Sequence, residues 1–96
     1  MQQLPLDLGV LFARTGRESE AETYFQRAIE ADSENTRALY AYAKFLRDGG
    51  RLEEALPMAV AALESKPTDA RNKALVRELR QRVREARPAT ITDPDN

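Results

Sequence analysis

The sequence predicts an all-α fold: five helices, folded as antiparallel hairpins and stacked side by side in a short α-solenoid. Three observations predict it. Apolar residues recur at helical spacing along nearly the whole chain, and no stretch shows sustained strand-like alternation. Gly16, Gly49-Gly50 and Pro67 fall between the periodic segments, where helices should break. The chain also resembles itself after 34 residues, a step that aligns Thr15–Asn35 with Gly49–Asp69. Six of those pairs are identical: Gly16/Gly50, Arg17/Arg51, Glu20/Glu54, Ala21/Ala55, Ala28/Ala62 and Glu30/Glu64. A repeat of that length is the signature of stacked helix hairpins.

The first helix is expected over 5–14, and it is conspicuously apolar, with Leu4, Leu6, Leu8, Val10, Leu11 and Phe12 in or beside it. Gly16 separates it from a second helix over 18–31. Asn35 is placed to cap a third over 36–48, its short side chain accepting from the unpaired N–H groups of the first turn. Gly16 and Gly49 can take positive φ at helix ends without a Cβ clash. The fourth helix, 52–65, holds Pro57, which deletes the backbone bond to Glu53; so near the first turns a slight kink is expected rather than a break. Asp69 is placed to cap a fifth helix over 69–86, whose Leu75, Val76, Leu79, Val83 and Ala86 form one apolar stripe. The segment 88–96 has two prolines and almost nothing to bury, and reads as disordered.

Composition narrows the function. The chain of 96 residues is one domain by length, placed at 1–87, and it contains neither Cys nor His. Disulfides, zinc sites of the usual ligands, thiol nucleophiles and histidine acid–base chemistry are thereby excluded. Carboxylate pairs such as Glu18/Glu22 and Glu53/Glu54 fall on outer, polar helix faces, where nothing would shift their pKa. No glycine-rich phosphate loop or serine nucleophile with its base is present, so no enzyme activity and no cofactor are expected. No apolar run is long enough to span a bilayer, and Met1–Phe12 lacks the basic start of a signal peptide. The missing cysteines suit the cytoplasm, which is favoured.

Net charge is −1, but this is a cancellation: residues 1–69 carry −4, residues 70–87 carry +5 and the tail −2. The positive charge is concentrated in the fifth helix. Lys73, Arg77, Arg80, Arg84 and Arg87 follow i, i+4, i+7, i+11, i+14 and so lie along one line. A solvated face is the plain reading of this strip. A docking strip for an acidic protein segment is the sharper one. Nucleic-acid binding ranks lower, because no aromatic interleaves with the cations to stack on bases.

With these residues in view, the chain resembles the tetratricopeptide repeat family. Leu8-Gly9 followed by Phe12 is similar to the family's Leu-Gly-x-x-Tyr, and Ala21, Phe25 and Ala28 match its Ala-x-x-x-Phe-x-x-Ala. In the next unit Tyr42, Ala43 and Leu46 fill the first set, and Ala55, Ala59, Ala62 and Pro67 the second. Pro5, Ser33 and Ala59 depart from the pattern. The resemblance implies a right-handed stack of two repeats, about 2–35 and 36–69, closed by the helix 69–86 as a cap. It also implies a concave wall formed by the first helix of each hairpin. By position that wall takes Gln3, Leu6, Val10 and Ala13, then Arg37, Tyr40, Lys44 and Arg47, then Arg71, Ala74 and Glu78. At the places where one subclass of the family grips a chaperone's C-terminal carboxylate, this chain has Leu6, Val10, Ala41, Arg71 and Leu75. Four of the five are apolar, which argues against that clamp.

The expected function is therefore a protein-interaction scaffold that binds an acidic or amphipathic segment of a partner in a partly basic groove. The residues expected to meet it are Leu6, Val10, Arg37, Tyr40, Lys44, Arg47 and Arg71. The alternative is self-association through the apolar first helix, because two hairpins fall short of the three repeats that usually give a stable stack.

Overall fold

A computed structural model of the protein describes residues 3–86, with Gln3 and Leu4 by their backbone alone. Arg87, the last cation of the expected strip, and the 88–96 segment lie outside the described residues. Five helices follow in order: α1 (Gln3–Arg14), α2 (Glu18–Ala31), α3 (Thr36–Asp48), α4 (Leu52–Ser65) and α5 (Ala70–Ala86). α1 begins two residues earlier than expected. Pro5 does not prevent this, because N–H groups of a first turn have no intrahelical partner to lose. α4 is continuous through Pro57.

The helices pack as neighbours in sequence. α1 lies on α2, α3 on α4 and α5 on α4, while α2 meets α3 and α1 touches α3 more narrowly. The result is elongated, 53 × 31 × 19 Å, with a radius of gyration of 14.6 Å. A compact chain of this length would give about 12 Å.

Small residues set the spacing. Ala21, Ala28, Ala43, Ala55, Ala59 and Ala62 are all essentially buried, so their helices meet nearly backbone to backbone. Larger side chains fill what this leaves. Phe25 lies 5.4 Å from Phe45 and 5.8 Å from Tyr42 between ring centroids, tying α2 to α3. Leu75, Val76 and Leu79 of α5 close the far side, whereas Val83 is half-buried and Ala86 exposed.

The two hairpin turns share one backbone pattern at the glycine and the arginine that follows it. Gly16 and Gly50 take φ of +83° and +81°. After each, the arginine N–H reaches back six residues inclusive, Arg17 to Phe12 and Arg51 to Leu46, both at 2.9 Å. Each glycine N–H bonds three residues back, to Ala13 and to Arg47. This pairing of bonds absorbs the orphan carbonyls of a helix end. Gly49, expected to supply the positive φ, has φ −87° instead. The 34-step register decides between the two glycines, since it is Gly50 that matches Gly16.

The remaining ends are held by side chains. Asn35 accepts from the Ala38 N–H at 3.1 Å, and Asp69 from the N–H groups of Arg71 and Asn72 at 2.8 and 3.3 Å. The bond from Asn72 first, then that from Arg71, holds the Asp69 carboxyl below its ordinary pKa. Ser65 donates to the Glu34 carbonyl at 2.9 Å and sits 2.6 Å from the Thr36 hydroxyl. With the serine proton so committed, the threonine must be the donor. The C-terminal end of α4 is thus pinned to the start of α3.

Candidate functional site

Helical spacing puts Arg37, Tyr40, Ala41 and Lys44 on one face of α3, and that face looks across a trough toward α1 and the start of α5. A hollow of about 350 Å³ lies there, lined among others by Leu6, Val10, Arg37, Tyr40, Asp69 and Arg71. A second, of about 230 Å³, shares Val10, Tyr40 and Ala41 with it and continues to Lys44 and Phe45. Of the residues expected to meet a partner, these two hollows bring six together. Tyr40 is central: the Lys44 ammonium lies 5.5 Å and the Arg71 guanidinium 5.6 Å from its ring centroid. Both distances are within the reach of cation–π attraction.

Two expected residues play other parts. Leu6 is only 2% exposed and belongs to the core, so it backs the groove and offers no free side chain. It sits three residues before Gly9, on the side of α1 that faces the other helices. Arg47 does not line the hollows. Its guanidinium donates to Glu78 at 3.0 Å and to Asp48 at 3.1 Å, linking α3 to α5.

A carboxylate expected on a solvated face proves to be structural. Glu22 of α2 receives both terminal nitrogens of Arg51, at 2.8 and 2.9 Å, and the Tyr42 hydroxyl at 2.6 Å. The Gln26 amide donates in turn to that hydroxyl at 3.2 Å. Arg51, and then Tyr42, hold the Glu22 carboxyl below its ordinary pKa, against a smaller opposing effect of burial. Burial first, and then Glu22, push the Tyr42 phenol up. The repeat hinted at this arrangement without revealing it. Arg17 and Arg51 bind Glu20 and Glu54 through the same atoms, the Nε bonds being 2.6 and 2.7 Å and the second bonds 2.7 and 3.2 Å. Among the described residues Arg51 has a preceding hairpin to grip, whereas Arg17 lies over the Phe12 ring, at 4.9 Å.

Asn72, which sequence reasoning passed over, is the buried polar residue among the described residues. It is 2% exposed, and its amide donates to the Ala62 carbonyl at 3.1 Å, fixing α5 against the end of α4. Its signal was positional: it stands beside Leu75 and Val76 on the inner face.

A family model for the tetratricopeptide repeat matches residues 6–79. The chain belongs to the tetratricopeptide repeat family. No curated protein matches it as a relative. Tetratricopeptide repeats generally mediate protein–protein contacts and act as non-catalytic scaffolds. In this tetratricopeptide repeat protein Leu6 and Leu75, at two of the clamp positions named above, are buried. The four described cations of the α5 strip, Lys73, Arg77, Arg80 and Arg84, are all exposed. None of the four has a carboxylate partner among the described residues, whereas Arg82 on the same helix pairs with Glu78 at 3.2 Å. No described helix is long and apolar enough to cross a membrane.

Proposed function

We propose that this tetratricopeptide repeat protein is a scaffold without catalytic activity, whose trough across α1, α3 and α5 receives an acidic or amphipathic segment of a partner protein. The observation that carries the reading is the setting of Tyr40, with Lys44 and Arg71 against its ring and Val10 and Ala41 beside it. A carboxylate entering there gains charge-assisted hydrogen bonds, and an apolar neighbour on the same segment covers Val10 and Ala41. Because the helices are held by packing rather than by the ligand, little ordering cost falls on binding.

The test measures fluorescence anisotropy with a labelled helical peptide of glutamate and leucine, and with its lysine-for-glutamate counterpart. The acidic peptide should bind more tightly. Lys44→Glu with Arg71→Glu should weaken it by about tenfold or more, with the helical circular dichroism unchanged. Arg47 is left intact, because its half-buried guanidinium ties α3 to Glu78 of α5 at 3.0 Å, whereas the exposed Arg71 makes a longer, 3.7 Å contact with Asp69 beside it in sequence. Equal binding of the two peptides, or a double reversal without effect, would overturn the reading.

A further inference from the structure

The side of α1 away from Gly9 forms the edge of the trough: Asp7 and Val10 line the first hollow, and Val10 and Arg14 the second. Among the described residues, Val10 and Leu11 are the exposed large apolar side chains, at 36% and 52%. Asp7 and Arg14 lie on the same face, because 7, 10, 11 and 14 follow i, i+3, i+4, i+7 along one helix. Both are exposed, and neither has an ion-pair partner among the described residues. The order acidic, apolar, apolar, basic is complementary to itself when reversed. A half-turn about an axis between residues 10 and 11 sets Asp7 of one copy against Arg14 of the other, twice, and Val10 against Leu11, twice. That is the requirement of an isologous contact, in which the same patch serves both partners. A parallel arrangement would instead oppose like charges.

We propose that two copies of the chain associate through this face, α1 against α1 and antiparallel. Opposed helix dipoles favour the same orientation. The apolar centre is small, so the contact is a weak, reversible one of the kind made by interfaces below about 1,200 Å². It also covers Asp7, Val10 and Arg14, which line the hollows of the trough, so association and occupancy of the trough exclude one another. The inference does not rest on the partner-binding reading, since its test contains no ligand.

The test is sedimentation equilibrium of the full chain, from about 10 µM to about 1 mM, a range that spans weak association. Wild-type mass should rise with concentration from the monomer's 10.8 kDa toward twice that value. Asp7→Arg alone and Arg14→Asp alone should each weaken association about tenfold, since each replaces two attractive contacts by two repulsive ones. An equimolar mixture of those two variants should associate again, as one to one, because one chain now carries both positive charges and the other both negative ones. Val10→Ser with Leu11→Ser should give a monomer that keeps its helical circular dichroism. A wild-type mass that stays monomeric throughout, single variants that associate as wild type does, or a mixture that fails to recover would each overturn the proposal.

Discussion

Gly9 leaves no room for a β-carbon: one built there would stand 2.9 Å from Cδ1 of Phe25. The ring cannot yield easily, because it is itself buried between Tyr42 and Phe45. Gly9→Ala therefore sets a better helix former against an overpacked contact, worth about 1 and about 1–3 kcal/mol respectively. We expect overpacking to win and the urea midpoint to fall; an unchanged or raised midpoint would show that α1 can shift away at no cost. At Glu22 the relevant variable is pH. Its carboxyl is held below the ordinary value when folded, so the stabilisation is complete above the unfolded pKa, near 4.5, and is lost as pH falls through the lower folded value. Glu22→Gln should cost about 1 kcal/mol at pH 7. The difference from wild type should shrink as the pH is taken below about 4. A difference that does not depend on pH would mean that the Arg51 contact contributes no electrostatic stability. The small residues were legible in the sequence because they recur; the partner of Glu22 was not, because it lies 29 positions away on another hairpin.

Single helices are decided at their ends and breaks. Asn35 satisfies an otherwise unpaired N–H of α3, so Asn35→Ala should lower stability by about 1 kcal/mol, while Asn35→Asp should be nearly neutral. Comparable losses from both would show that the cap bond contributes nothing. Pro57 lies within α4 at an exposed position, where it removes a hydrogen bond and packs little. Pro57→Ala restores that bond and should raise the melting temperature by a few degrees, about 4–8 °C for each 1 kcal/mol gained in a domain of this size. A lower melting temperature would mean that the proline's restriction of the unfolded chain outweighs its effect on the helix. Periodicity and cap chemistry located all five helices to within two residues. They could not choose between Gly49 and Gly50, because either can follow a helix; the 34-residue register makes the choice, and the bond from the Arg51 N–H to the Leu46 carbonyl is the contact that goes with it.

Over the whole molecule, stacking of neighbours makes the two ends nearly independent. Leu79, fully buried between α5 and α4, and Gly9, between α1 and α2, lie in different interfaces. Leu79→Ala should cost about 2–4 kcal/mol in urea unfolding, and its combination with Gly9→Ala should be additive within about 0.5 kcal/mol. A coupling well above that would show that strain passes along the stack. The sequence by itself determined the number of helices, their step and the hairpin pairing, because a period of 3.6 and a repeat of 34 are properties of residue order alone. The family resemblance, and not residue order alone, implied that Val10, Arg37, Tyr40, Lys44 and Arg71 share one wall. Only the tertiary structure decided that Leu6 is core, that Arg47 and Glu22 are bound to other helices, and that Asp7, Val10, Leu11 and Arg14 stay uncovered. Those outcomes depend on distances between hairpins, and a side chain's burial or pairing is fixed by what another segment brings to it.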